Sequence, residues 1–286
     1  MDVIREPYPF QAYCAALDGS RALGLVPTMG ALHDGHRSLI RASRQRDEVT
    51  AVSLFVNPTQ FGPDEDFARY PRAEEHDLAL LEKEGVQVVF IPDAEAIYPP
   101  GDATRVEVEG LSQRLCGASR PGHFRGVATV VLKLLQLAEP TRAYFGQKDA
   151  VQVAVIKRMI EDLFLPLELV VCPIVRERDG LALSSRNAYL SPEERHAARL
   201  ISRALRIMGE AYDAGERSTR ALLMAGTGVI ESEPGLRLDY LTVVDGNTLL
   251  PVAEAVPGAL FAIAAFAGAT RLIDNARVNH DGVYLL

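Results

Sequence analysis

Apolar positions along the chain alternate between two periods. Largely apolar runs occur at 22–27, 49–56, 86–91 and 167–172, with a short strand-like segment at 142–145. These predict strands, and the β-branched run at 49–56 a buried one. Helical spacing fills the intervals: a polar-faced segment at 38–46, then 74–84 with Leu78 and Leu81 on one face. It recurs at 124–138 through Val127, Val130, Val131, Leu134 and Leu135, and again at 150–163. Strands alternating with helices predict an α/β domain, a parallel sheet with helices on both faces. After about residue 175 the pattern changes. Ser191-Pro192-Glu193-Glu194 has a Ser cap, a Pro at the first helical position and acids in the first turn, which predicts a helix start. That helix extends to about 214, and a second covers about 219–232. Strands follow at 237–244, 259–266 and 270–274. The expected organisation is a first domain over 1–184 and a smaller C-terminal α+β domain over 185–286.

Composition narrows the class. At 286 residues the chain is long enough for one large domain or two. Lys and Arg total 30 against 38 Asp and Glu, a formal net charge of −8. This argues against a general nucleic-acid binder and leaves room for a local basic pocket. Cys14, Cys116 and Cys172 are widely spaced, with no CxxC, so a disulfide scaffold and a zinc ribbon are both excluded. The start, MDVIREPYPF, lacks signal-peptide features, and the longest apolar stretch, 259–269, is too short to span a bilayer. A cytoplasmic, soluble protein with no membrane partner is expected.

Parallel sheets bind ligands at the carboxyl ends of their strands, and the unusual residues fall there. Pro27 to His36, PTMGALHDGH, follows the first strong strand and precedes a helix. A helix N-terminus offers unpaired N–H groups and positive partial charge to a phosphate, and His33 and His36 lie on one side if the turn is helical. A surface turn with incidental histidines, or an HxxH zinc site lacking a nearby third ligand, are the alternatives. Phe55 to Gly62, FVNPTQFG, places Gln60 in a turn, as a neutral substrate contact or a solvated residue. Arg120 to Val127 precedes the amphipathic helix, and His123 reads there as a local cap. Phe145-Gly146-Gln147-Lys148-Asp149, then Gln152, lies between a strand and a helix. Lys148 is a phosphate cation or half of a solvated pair with Asp149, which stands where an N-cap is expected. Leu183-Ser184-Ser185-Arg186-Asn187 offers two hydroxyls and a guanidinium to a polyphosphate, or is a polar linker. No GxxxxGK[ST] or GxGxxG occurs.

Taken in order, PTMGALHDGH, FVNPTQFG, HFRGVATVVLKLLQL, FGQKD and LSSRN resemble the pantoate–β-alanine ligase (pantothenate synthetase) family over most of residues 20–190. DYLTVVD and TRLIDN, further on, are also family-like. HDGH is similar to the HxGH signature of a nucleotidyltransferase superfamily, and LSSRN to its mobile KMSKS loop. The resemblance implies a Rossmann-like domain and condensation of (R)-pantoate with β-alanine through a pantoyl adenylate, releasing pyrophosphate and AMP. ATP is the co-substrate, Mg²⁺ accompanies it, and the assembly is a homodimer. Carried over by position, the resemblance implies an ATP site of Met29, Gly30, Ala31, Leu32, His33, Asp34, Gly35, His36, Gly146, Gln147, Lys148, Asp149, Val175, Leu183, Ser184, Ser185 and Arg186. His36 is the implied proton donor, with His33, Lys148 and Arg186 as its catalytic partners. Gln60 is implied to contact pantoate and β-alanine, and Gln152 pantoate. Leu183 stands where many members have Met, and Gln147 where many have Glu. No protein ligand of the metal is implied; Asp77 is either a carboxylate contact for it or part of a solvated helix face. A nucleotidyltransferase acting on a phosphorylated acceptor would not need the two glutamines. A non-catalytic nucleotide sensor would be expected to lack a histidine, the lysine or the SSR loop.

Overall fold

Strand and helix follow from the pattern of apolar positions, and their arrangement follows from which faces must be buried. The computed structural model describes residues 1–17, 21–63 and 65–284. The chain divides into two compact units, residues 1–146 with 155–172 and residues 147–154 with 173–286. In chain order, the elements up to residue 172 are β1 (Asp2–Ile4), α1 (Pro7–Ala15), β2 (Leu23–Thr28), α2 (Asp34–Arg46), β3 (Val49–Leu54), α3 (Glu74–Lys83) and β4 (Val88–Phe90). They continue with the single turns α4 (Ala94–Ile97) and α5 (Cys116–Ser119), then α6 (His123–Ala138), β5 (Arg142–Gly146), α7 (Ala150–Asp162) and β6 (Glu168–Cys172).

The first unit holds a six-stranded sheet in the order β1-β4-β3-β2-β5-β6, with every pairing parallel. β3 and β4 are buried at every position, as expected of strands covered on both faces. Val26, Val52, Leu54, Val89 and Tyr144 pack with Leu39 and Ile40 of α2 and Leu81 of α3. Successive side chains alternate faces, so Phe90 points away from Val89. Its ring stacks on Phe10 of α1 at 4.4 Å. From β2 the chain adds β3 and β4 on one side, then returns to place β5 on the other. The strand order therefore reverses between β2 and β5, the kind of point where open α/β sheets bind ligands.

The second unit contains α8 (Pro192–Asp213), α9 (Thr219–Glu231), β7 (Leu236–Asp245), β8 (Ala259–Ala267), β9 (Thr270–Asn279) and β10 (Gly282–Tyr284). Its strands form an antiparallel sheet in the order β10-β9-β8-β7. α8 starts with a capping box: Glu194 N–H donates to Ser191 Oγ at 3.2 Å and Ser191 N–H to Glu194 Oε2 at 2.9 Å. Ile201, Leu205 and Met208 of α8 pack with Leu222 and Ile230 of α9 and with Phe261, Ile263 and Val278 of the sheet. β9 extends five residues past its expected end at 274, because Asp274 and Asn275 interrupt the apolar pattern and yet are buried. Among the described residues, no helix is long and apolar enough to cross a membrane.

Candidate active site

The turn after β2 is held from both ends. Thr28 Oγ1 donates to the Ser53 carbonyl at 2.8 Å and accepts the Gly30 N–H at 3.2 Å. Gly30 and Ala31 then adopt φ of +77° and +51°, a left-handed pair that an alanine adopts only when held. The holding group is Asp77 on α3, which is 1% exposed. Its Oδ2 accepts the Ala31 N–H and its Oδ1 the Leu32 N–H, both at 2.8 Å. The sequence left Asp77 open between a metal contact and a solvated helix face. The structure buries it, with both oxygens accepting main-chain N–H groups.

The backbone reversal delivers His33 to the N-cap of α2 and His36 to its third position. Gly35 N–H donates to His33 Nδ1 at 3.1 Å, and His33 N–H donates to His36 Nδ1 at 3.2 Å. Each imidazole thus caps the helix that carries it. An Nδ1 that accepts an N–H holds a lone pair, so the proton of each neutral ring sits on Nε2. The rings lie side by side, centroids 4.1 Å apart and tilted 36°. A second proton on either ring would destroy a cap and set a cation against its neighbour. The arrangement therefore favours two neutral Nε2–H donors at a helix N-terminus.

Gln60 occupies a 3-10 turn (Pro58–Gln60) after β3 and is 8% exposed. Asn57 Nδ2 donates to Gln60 Oε1 at 3.1 Å and to the Gly126 carbonyl at 3.2 Å, while Asn57 Oδ1 accepts from Tyr98 Oη at 2.8 Å. Burial pushes the Tyr98 phenol up, outweighing its hydrogen bond with Thr59, and keeps it a donor. Gln60 Nε2 points at Met29 Sδ, 2.9 Å away. Met29 and Gln60, assigned through separate motifs, are thereby brought together. The expected capping role of His123 is corrected: Gly122 is the N-cap of α6, with no side-chain cap bond. His123 Nδ1 instead bonds the Gln60 carbonyl at 2.7 Å, and its Nε2 faces Arg120 Nη1 at 2.9 Å. Arg120 forks onto Glu65, with both contacts at 2.6 Å. Burial pushes Glu65 up, but the hydrogen bond and charge of Arg120 hold its carboxyl below the ordinary range.

The remaining candidates fall in the second unit, except Gly146, which ends β5. Residues Gln147–Asp149 form a 3-10 turn leading directly into α7, and Gln152 lies on the first turn of that helix. Lys148 Nζ lies 4.0 Å from Asp149. Val175 and Leu183 are joined by a hydrogen bond, Leu183 N–H to the Val175 carbonyl at 2.9 Å. The hairpin between them crosses at Arg176 and Ala182. Ser184 caps the next turn, its Oγ accepting Arg186 N–H at 3.3 Å. Asn187 ties that turn back to Glu177 and to the Ala182 carbonyl, each at 3.1 Å. Sequence reasoning missed Asp77, Asn57, Tyr98 and Asn275 as residues that shape these turns. Only the buried-polar break in β9 carried a signal for Asn275.

Among the described residues no group of three or more His, Cys, Asp or Glu side chains could hold a metal ion. A parallel sheet whose order reverses at β2, with a histidine-capped helix start at that strand's carboxyl end, defines a Rossmann-like α/β protein. Comparison with known proteins narrows the class. Residues 2–277 match the family model for pantoate–β-alanine ligase. A pantothenate synthetase of Acidobacterium capsulatum is 62% identical over 258 residues, covering 90% of this chain and 86% of the relative. That of Koribacter versatilis is 54% identical over 96% of this chain and 95% of its own. The crystal structure of pantothenate synthetase from Thermus thermophilus is 48% identical, with a TM-score of 0.93 over 98% of this chain and 100% of that one. That of pantoate–β-alanine ligase from Francisella tularensis, complexed with β-γ ATP and β-alanine, is 36% identical. Its TM-score is 0.81 over 96% and 97% of the two chains. The chain belongs to the pantoate–β-alanine ligase family.

Proposed function

We infer that the chain condenses (R)-pantoate with β-alanine at the expense of ATP, forming pantothenate, AMP and pyrophosphate through a pantoyl adenylate. Family membership supports the reaction. The observation that carries the site is the doubly capped His33–His36 turn at the start of α2, after the strand where the order reverses.

In the first step a pantoate carboxylate oxygen attacks the α-phosphorus and the bond to pyrophosphate breaks. Two anions must approach, and negative charge moves onto the leaving group. Preorganised donors and positioning should supply most of the acceleration. We assign Nε2–H of His33 and His36, with Lys148 and Arg186, to the phosphates as hydrogen-bond donors; the proton-donor role that the resemblance implies for His36 would require its doubly protonated ring, at the expense of the cap its Nδ1 accepts. Met29–His36, Gly146–Asp149, Val175 and Leu183–Arg186 make up the ATP-binding set, in which Gln147 contributes main chain because its side chain is buried on Asn275. Gln60 orients pantoate and then β-alanine, and Gln152 orients pantoate. An N–H aimed at the Met29 thioether is a weak bond, so a substrate oxygen can replace that partner at little cost. Neutral amides orient the acid without a salt bridge that would reduce its nucleophilicity. In the second step the β-alanine amine attacks the acyl carbon and AMP leaves. Mg²⁺ would enter with ATP and be held mainly by phosphate rather than by residues of this chain, and would supply neutralising charge for the leaving pyrophosphate. Asp77 already accepts two main-chain N–H bonds and serves the turn. The protein works as a cytoplasmic homodimer, and the second of its two compact units takes in 147–154 and begins again at 173, rather than at the expected 185.

The test is AMP release with each substrate omitted in turn, together with pantoate-dependent ATP–pyrophosphate exchange. AMP should require all three substrates, and exchange only pantoate and ATP. His36→Ala and Lys148→Ala should each lose about 100-fold or more in exchange while remaining folded, the typical cost of one preorganised donor. Near-normal exchange in both variants would sink the assignment of these residues.

A further inference from the structure

We propose that Asn275, on β9, is a positioning residue for Lys148, acting through the turn that carries the lysine. The proposal rests on the ATP reading above and extends it to a strand far along the chain. Asn275 Nδ2 donates to the main-chain carbonyls of Gln147 and Lys148, each at 3.0 Å. Its Oδ1 accepts from Gln147 Nε2 at 2.9 Å. One side chain therefore makes three hydrogen bonds to two consecutive residues. Both amides are deeply buried, Asn275 at 3% exposure and Gln147 at 4%.

The location is expensive for a merely structural amide. β9 supplies Leu272, Ala276 and Val278 to the apolar core on one face. Asn275 is on the other face, where its neighbours Ile273 and Arg277 are only half-buried, and a polar group buried there is tolerated only if satisfied. The neighbouring residue repeats the pattern. Asp274 takes Arg176 in a bidentate pair at 2.7 and 2.9 Å and also accepts the Asn275 N–H at 2.8 Å. Arg176 belongs to the hairpin between Val175 and Leu183. Two adjacent buried polar residues of one strand thus hold the two segments of this unit that bear the proposed ATP contacts. Lysine is a point charge on a flexible stem. Fixing the carbonyls on both sides of the 147–148 step fixes the origin of that stem and limits where the ammonium can reach.

The experiment separates the two chemical steps. Lys148 serves the triphosphate, so it matters for adenylation and not for attack of β-alanine on a pantoyl adenylate supplied ready-made. Asn275→Ala should lower pantoate-dependent ATP–pyrophosphate exchange by about 10- to 100-fold, the scale of an ångström-level misplacement. The KM for ATP should rise and that for pantoate should not. Conversion of added pantoyl adenylate and β-alanine to pantothenate should stay within about threefold of wild type. Asn275→Ser, which keeps one short donor, should be intermediate in exchange, and the same split is read on it if the alanine variant unfolds. On a Lys148→Ala background, Asn275→Ala should cost less than about twofold more, because residues acting as one unit are not additive. Equal losses in both steps, or fully additive losses with Lys148→Ala, would overturn the positioning role. Wild type run alongside separates the two readings. Exchange by wild type and an unimpaired variant overturns the role of Asn275 alone. Absence of exchange in wild type overturns the ATP reading with it.

Discussion

Asp77→Asn is the sharpest probe of how the turn after β2 is built. The substitution preserves shape and removes charge. The asparagine Oδ1 can still accept one of the two main-chain N–H groups, from Ala31 or Leu32. Its NH₂ must then face the other, donor against donor. One charge-assisted bond is lost, and a buried N–H is left without an acceptor. A hydrogen bond to a charged group contributes about 1.5–3 kcal/mol, and an unsatisfied buried donor costs about 1–3 kcal/mol. These overlap in part, so a loss of about 3 kcal/mol is expected. Ala31 adds a second consequence. Its φ of +51° is unfavourable by about 1–2 kcal/mol for an L-residue, and the Asp77 bonds help hold it there. Once released, the turn should relax and shift His33 and His36, whose caps begin one residue beyond Leu32.

Urea unfolding and pantoate-dependent pyrophosphate exchange, measured on the same preparations, read the two effects separately. Stability should fall by about 3 kcal/mol with an unchanged denaturant slope. Exchange by the fraction that stays folded should fall by about 100-fold, the scale of a misplaced catalytic group. Raising Mg²⁺ should restore neither. A variant within about 0.5 kcal/mol of wild type and exchanging normally would refute the anchor. Recovery at high Mg²⁺ would reassign Asp77 to the metal.

Two further outcomes test the Gln60 turn. In Gly126→Ala the new Cβ would lie 2.4 Å from the Thr59 carbonyl oxygen and 2.7 Å from the Gln60 nitrogen. These are backbone atoms, so overpacking should cost about 1–3 kcal/mol. The KM for pantoate should rise with that for ATP little changed; equal rises would count against a pantoate role for Gln60. Glu65→Gln tests pH linkage. The folded-state pKa of Glu65 is depressed, so its pairing with Arg120 stabilises the fold above the ordinary value of 4.5 and is lost as pH falls through the lower folded value. The pair is partly exposed, so wild type should exceed the variant by only about 1 kcal/mol at neutral pH. Thermal melts should show that gap closing below pH 4.5; a gap constant down to pH 3 would contradict the pairing.

The central strands were legible because burial on both faces leaves an unbroken apolar run, as at Val49–Leu54. β1 and α1 were not. β1 is a three-residue edge strand with two exposed positions, and α1 starts at a proline without a side-chain cap. The end of β9 was hidden because Asp274 and Asn275 look like a turn until their partners are known. The site divides the same way. Motif residues such as His33, His36 and Lys148 stand out by residue type and place, at a helix start or just after a strand end. Their supports do not. Asp77 sits among Glu74, Glu75 and His76 at a helix start, where acids are ordinarily solvated, and its partners lie 45 and 46 residues earlier. His123 looks like a cap because the carbonyl it bonds is 63 residues away in sequence.

Those hidden supports share a chemical logic. Asn57 with Gln60, and Gln147 with Asn275, are amide pairs that also donate to main-chain carbonyls. An amide both gives and accepts, so it can satisfy a turn rich in carbonyls without carrying charge. A carboxylate at position 275 would repel the carbonyls of residues 147 and 148. A lysine or arginine there would put donors where Gln147 Nε2 needs an acceptor, and would bury a charge at a cost of several kcal/mol unless paired. Asp77 is the opposite case, because the Ala31–Leu32 segment presents N–H groups that only an acceptor can hold. Its charge is spent on two N–H bonds rather than on either imidazole. The sign of each anchor follows from the backbone group it must satisfy: an amide where carbonyls converge, a carboxylate where N–H groups do.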